Sequence, residues 1–225
     1  KTAISRIDKL HFNPRPLDSV YSERLWNNYI NQLDPEHAIF LQKDIISFSP
    51  FKYILGHELN EGSSSFFNLV YRCYCERIGD AKQTFDAVIS APIDFSKKGS
   101  FILNRKNLPF PANDIKRKAT WEQVVKLAVL KHYMEGDSIL SEQDQNADQL
   151  NADLKRSSID FVKKWYTDYF RNAIQGNALN DKFALYLNTA MAEIDPHTAY
   201  VAPLDKSFEA LITKRFFGIG VELGQ

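Results

Sequence analysis

The chain has 225 residues, 44% of them hydrophobic and 25% charged, a composition that supports a folded globular domain and excludes disorder as its main state. Its 28 basic and 28 acidic side chains cancel, so no global field draws it to nucleic acid or anionic lipid and any binding has to be local. No apolar stretch approaches the roughly 20 residues that cross a bilayer, and the opening Lys1-Thr2-Ala3-Ile4-Ser5-Arg6 is not followed by the apolar core and small-residue cleavage site of a secretory leader, consistent with one already removed.

With 16 Phe, 10 Tyr and 3 Trp against 9 Gly and 9 Pro, the residue usage predicts long helices around a bulky core. In chain order, Tyr21, Leu25, Trp26, Tyr29, Ile30 and Leu33 recur every three or four residues, which predicts a helix from Asp18, its N-cap, to Leu33. Asp34-Pro35 stops it, because proline disfavours helical backbone in the residue before it. Ser49-Pro50 reads as an N-cap with proline at the first helical position, opening a short helix through Leu59 that Gly62 ends. From Ser65 to about Ser90, Phe67, Tyr71, Tyr74, Ile78, Ala81, Phe85 and Val88 alternate spacings of four and three, the repeat of a helix packed along its length. Cys73 and Cys75 lie on this helix about 200° apart and so neither bridge nor chelate together.

Ala91-Pro92 closes that helix, and residues 93–113, with Gly99, Pro109 and Pro111, read as a long extended connection with one short strand at Ser100 to Leu103. Thr120-Trp121-Glu122-Gln123 fits a capping box, for a helix that starts there or as early as Asp114 and ends near Gly136. Ser141 to Gln175 turns from acidic to basic along its length, in the order that complements a helix dipole, with Leu150, Leu154, Phe161, Val162, Trp165, Tyr169 and Phe170 as its core face. Phe183, Leu187, Ala190, Met191 and Ile194 define a last helix closed by Asp195-Pro196, and the alternating Phe217, Ile219, Val221 and Leu223 read as one β-strand. That strand has no successor to pair with, so it is expected to pair near Phe101 to Leu103 or with a neighbouring molecule. The expectation is a mainly α, bundle-like domain, more than half helical, whose core includes Phe67, Tyr74, Phe85, Val125, Trp165 and Phe183.

Candidate chemistry is sparse. His57-Glu58 begins like a zinc-protease helix, but Glu61 stands where the second histidine belongs, so no metal is expected. No nucleophile elbow singles out a serine, and no catalytic residue or cofactor is assigned. Basic and aromatic residues mix from Phe161 to Arg171, yet at helical spacing the rings point inward and the lysines outward, which is a core helix rather than a nucleic-acid face. Leu33-Asp34-Pro35-Glu36-His37 and Ile194-Asp195-Pro196-His197-Thr198 are alike, either as a weak internal repeat or as one turn solution used twice. Asp195, Pro196 and His197 are read as a structural turn that sets the direction of the chain leaving the last helix.

Glu193 to Tyr200, then Pro203, Phe208 and Phe217-Gly218-Ile219-Gly220-Val221-Glu222-Leu223, resemble in order and spacing the segment that leads into the PDZ domain of carboxy-terminal processing, or tail-specific, proteases. Leu33-Asp34, Pro92 to Phe95 and Asn104-Arg105 to Pro111 are similar to the long amino-terminal domain of the periplasmic branch of that family. The resemblance implies a helical domain over 1–210 and the first strand and carboxylate-binding loop of a PDZ domain, Gly218, Ile219 and Gly220, over 211–225. It implies a periplasmic serine endopeptidase with a Ser-Lys dyad, whose protease domain lies beyond Gln225, with substrates that have free C-termini and with an adaptor protein as a further partner. Small residues in such a loop let backbone N–H groups approach a carboxylate. The other reading is a free-standing helical interaction module with no protease activity.

Overall fold

A computed structural model describes residues 16–93, 102–140, 147–174, 178–195 and 197–200. Among these residues it is mainly helical, with seven α-helices and no strand. They are α1 (Ser19–Leu33), α2 (Gln42–Phe48), α3 (Leu55–Glu61), α4 (Ser65–Ser90), α5 (Asp114–Leu140), α6 (Ala147–Ile174) and α7 (Ala178–Ala192), with a 3-10 turn at Ser49–Phe51.

The boundaries follow from local chemistry. Asp18 caps α1 by accepting the Tyr21 N–H at 2.9 Å, and Gly62 ends α3 at φ 75°, backbone that glycine adopts without steric cost. Two short elements replace the single helix expected from Ser49 to Leu59, and α2 before them has no sequence signal at its start. Leu41 at its N-cap offers no side-chain acceptor, so the Gln42 N–H of the first turn donates to the Pro111 carbonyl at 2.8 Å, while the Asp44 carboxylate folds back to take the Leu41 N–H at 2.9 Å. Asp44 is in turn gripped by Arg77 of α4, through Nε at 2.7 Å and Nη2 at 2.9 Å, which fixes α2 against α4.

α4 is the central element and packs against α2, α5, α6 and α7, while α1 lies against α3 and α7. Its predicted stripe is the core: Phe67, Tyr74, Ile78, Ala81, Phe85 and Val88 are buried and Tyr71 is half-buried. Two ring clusters share that stripe. Phe85 meets Trp121 at 5.6 Å, Tyr166 at 4.9 Å and Phe170 at 5.7 Å between centroids. Nearer the start of α4, Phe67 meets Phe183 at 4.9 Å, and Tyr29 meets Tyr186 at 5.0 Å.

Three sequence expectations are corrected. Gly136 does not end α5, which runs to Leu140. A Cβ on Gly136 would lie 2.6 Å from Leu154 Cδ1, so the glycine serves the close approach of α5 to α6. Trp165 and Phe161 are not core: they are 54% and 52% exposed. Val162, Tyr166 and Phe170 face the bundle instead, and Phe161 and Trp165, one position earlier in each case, are rotated about 100° out of it. Ile102 and Leu103 are exposed and irregular, which removes the described half of the strand expected at 100–103. The expected strand at 217–223 lies outside the described residues.

Candidate functional site

The site is built on the turn after α1. Proline at position 35 ends the helix, and the buried Asp34 carboxylate turns back to accept the N–H groups of Ala38 at 2.8 Å and of Ile39 and Phe40 at 2.9 Å. Burial pushes the Asp34 carboxyl up to about 6, against the three backbone bonds that favour its ionised form.

The turn then pins the connection that precedes α5. His37, buried at φ 49°, stacks on Phe110 at 3.9 Å between centroids. Its Nδ1 lies 2.8 Å from the Leu108 carbonyl and its Nε2 2.9 Å from the Asn31 amide. The carbonyl can only accept, so Nδ1 carries the proton in that bond. Burial pushes the His37 imidazole below its ordinary value, and Arg105 adds to this, against the bond to Leu108. Arg105 itself donates from Nε to the Glu36 carbonyl at 2.9 Å and from Nη1 to Gln123 at 3.1 Å. Glu36 and Arg105 thus form a braced ridge between the α1 turn and α5.

A cleft opens on each side of that ridge, and both clefts are lined by Glu36 and Arg105. One is a groove of about 350 Å³ between α5 and α6, floored by Val124, Leu127 and Val162 and walled by Phe161 and Trp165. Phe161 is held there by His132, which stacks on it at 4.1 Å. The Ser158 hydroxyl donates to the Leu154 carbonyl at 2.8 Å, so its oxygen accepts from His132 Nδ1 at 3.0 Å and orients that ring. The other is a polar cleft of about 580 Å³ over α1 and the connection, lined by Asn28, Asn31, Gln32, Asn104 and Lys106. An exposed aromatic groove beside a row of carboxamides is suited to holding a ligand.

The residues singled out in the sequence lie elsewhere. Asp195 accepts the His197 N–H at 3.1 Å and the Thr198 hydroxyl at 2.9 Å, below α7, and Pro196 lies outside the described residues. The Asp195 turn resembles the Asp34 turn in that both carboxylates fold back on the residues that follow, but Asp34 is buried and holds three backbone N–H groups, whereas Asp195 is half-exposed. Asp195→Ala is expected to lower stability by about 1 kcal/mol, the worth of a half-exposed polar turn, without loss of any ligand. Thermal denaturation of the variant checks this, and tight binding of a metal through Asp195 and His197 would contradict it. His57 is exposed and sits 3.3 Å from Glu61. Gly218, Ile219 and Gly220 lie outside the described residues.

Sequence reasoning missed the groove because a helical apolar stripe has the same periodicity whether a neighbour or solvent covers it. The sequence carried no separate signal for it, because α6 packs against α4, α5 and α7 and a wide apolar face serves those neighbours as well.

The family described as Tail specific protease N-terminal domain matches residues 3–204. A "Tail-specific protease" of Haemophilus influenzae is 27% identical over 226 residues. That alignment covers 99% of this chain but only 30% of the relative.

Proposed function

Because the chain belongs to the tail-specific protease N-terminal domain family, we propose that it is the non-catalytic scaffold and docking region of a periplasmic serine endopeptidase that recognises and degrades or processes proteins from their C-terminal ends. The observation that carries this reading is the family match across 3–204, joined to the fact that the chain spans 30% of the relative's length. On this reading the residues that cut peptide bonds belong to the part of the relative that the chain does not span. The apolar groove between α5 and α6 is the kind of surface a docking role needs: rings fixed by neighbours, exposed in a folded domain, and edged by charge.

Protein substrates with free C-termini and an adaptor protein are the proposed partners. Gly218, Ile219 and Gly220 are proposed to begin a PDZ carboxylate-binding loop over 211–225, after a helical domain over 1–210. The turn at Asp195, Pro196 and His197 is proposed to set the angle at which that domain leaves α7. Among the described residues no helix is long and apolar enough to cross a membrane.

Two measurements test the proposal. Reading the gene past Gln225 is expected to give the rest of a PDZ domain and a Ser/Lys protease domain; a stop codon or an unrelated domain there would favour the free-standing interaction module. Incubated with an unfolded substrate that has an apolar C-terminus, the isolated chain is expected to release no peptide. Hydrolysis that survives repurification and vanishes on substituting a residue of this chain would overturn the assignment.

A further inference from the structure

We infer that the two clefts flanking the Glu36–Arg105 ridge are halves of one site, which takes an extended polypeptide segment with a bulky apolar side chain in the groove and its backbone over the carboxamides. The inference rests on the docking half of the proposed function and is independent of whether a protease domain follows.

The polar cleft identifies the ligand. Asn31 has one end of its amide engaged by His37, Gln32 has one end at 3.3 Å from the Thr189 hydroxyl, and the Asn104 Oδ1 accepts the Lys106 N–H at 3.1 Å. Among the described residues these three carboxamides are each anchored at one end and keep the other for a ligand, whereas Asn28 beside them is engaged at both ends, by Glu193 and Lys106. Anchored amides lose little freedom on binding. A row of such groups suits a chain that presents N–H and C=O groups in alternation, as an extended backbone does. The charges of the cleft, Glu36 against Arg105 and Lys106, are mixed and do not select a simple anion.

The groove supplies the other half. Trp165 and Phe161 stand in solvent at a cost that a bulky apolar side chain would relieve. Because Arg105 is held from both sides, the two halves keep a fixed separation, and one segment crossing the ridge reaches both.

The test uses the full chain and a labelled 12-residue peptide, acetylated and amidated, with one central Phe among Ser, Thr and Gly. Having no free carboxylate, it gives no signal through a C-terminus-binding loop. Anisotropy is expected to show saturable binding that weakens about tenfold when the peptide Phe is replaced by Ser or when the chain carries Trp165→Ala. Gln32→Ala with Asn104→Ala is expected to weaken it by a similar factor. Of the three tryptophans Trp26 and Trp121 are buried, so a blue shift of emission on binding reports Trp165. All the substituted side chains are at least partly exposed, and far-UV circular dichroism verifies folding. No binding, or binding unchanged by Trp165→Ala or by the carboxamide pair, overturns the inference. Binding only of a peptide with a free carboxylate overturns it too, while leaving the protease reading intact.

Discussion

Asp34→Ala is expected to lower the unfolding free energy by about 3 kcal/mol and the melting temperature by roughly 10 °C. The substitution leaves the N–H groups of Ala38, Ile39 and Phe40 without the acceptor they have at 2.8–2.9 Å, in a turn where all three residues are buried. Each unsatisfied buried N–H costs about 1–3 kcal/mol. Against that total stands the relief of no longer burying an ionised carboxylate, the effect that holds this carboxyl up at about 6 even with the three bonds in place. The lost bonds win, because there are three of them and all three donor residues are buried.

The same balance gives a pH dependence of definite sign. A carboxyl whose value is higher in the folded than in the unfolded chain binds its proton more tightly when folded. The stability this contributes is present below pH 3.8 and is lost as pH rises through about 6. Alanine has no such proton, so the penalty of Asp34→Ala is expected to be larger at pH 4 than at pH 7. His37 works the other way: burial disfavours its charged form, so stability is lost as pH falls below its ordinary value of 6.5. Because both proteins carry His37, the difference between them isolates Asp34. Urea titrations of both at the two pH values check the sign. A penalty that grows with pH would mean that the three backbone bonds outweigh burial in setting the proton affinity of Asp34.

How much was legible depended on whether a feature was local. The start of α1 at Asp18, its stop before Pro35, the whole span of α4 and the end of α3 at Gly62 were readable, because caps, prolines and a sustained stripe act within a few residues. What failed needed a partner distant in sequence. Gly136 looks like a helix terminus until Leu154 is seen against it. Leu41 gives no sign of opening a helix until Asp44 is seen to turn back and be held by Arg77. The ridge was the least legible part: Arg105 sits in an irregular connection, and its importance comes from Glu36 and Gln123, which flank it in space but not in sequence. Trp165 and Phe161 show the general difficulty, since periodicity reports that a face is apolar and says nothing of what covers it.

Gly56→Ala is expected to destabilise the domain by about 3 kcal/mol, although alanine is the better helix former. Gly56 lies in the first turn of α3, where its N–H donates to the Ser22 hydroxyl at 2.9 Å and the Ser22 hydroxyl donates to the Asp18 carbonyl at 2.8 Å. These bonds draw α3 onto the start of α1. A Cβ at Gly56 would lie 2.1 Å from the Leu17 carbonyl oxygen and 2.7 Å from its carbon, and both are backbone atoms that no rotamer change can move. The two elements must separate, which breaks the Ser22 bond and opens the packing of Leu55 and Leu59, both buried. The helix-propensity gain of about 1 kcal/mol is too small to offset this. Gly79 provides the matched control: it lies inside α4, and a Cβ there meets nothing within 4 Å. Gly79→Ala is therefore expected to stabilise by about 0.5–1 kcal/mol, leaving the two glycine-to-alanine variants about 4 kcal/mol apart in chemical denaturation. If both variants stabilise equally, the Leu17 peptide does not press on α3, and the close seat of α1, whose far end carries the Asp34 turn and the ridge between the clefts, would have to be redrawn.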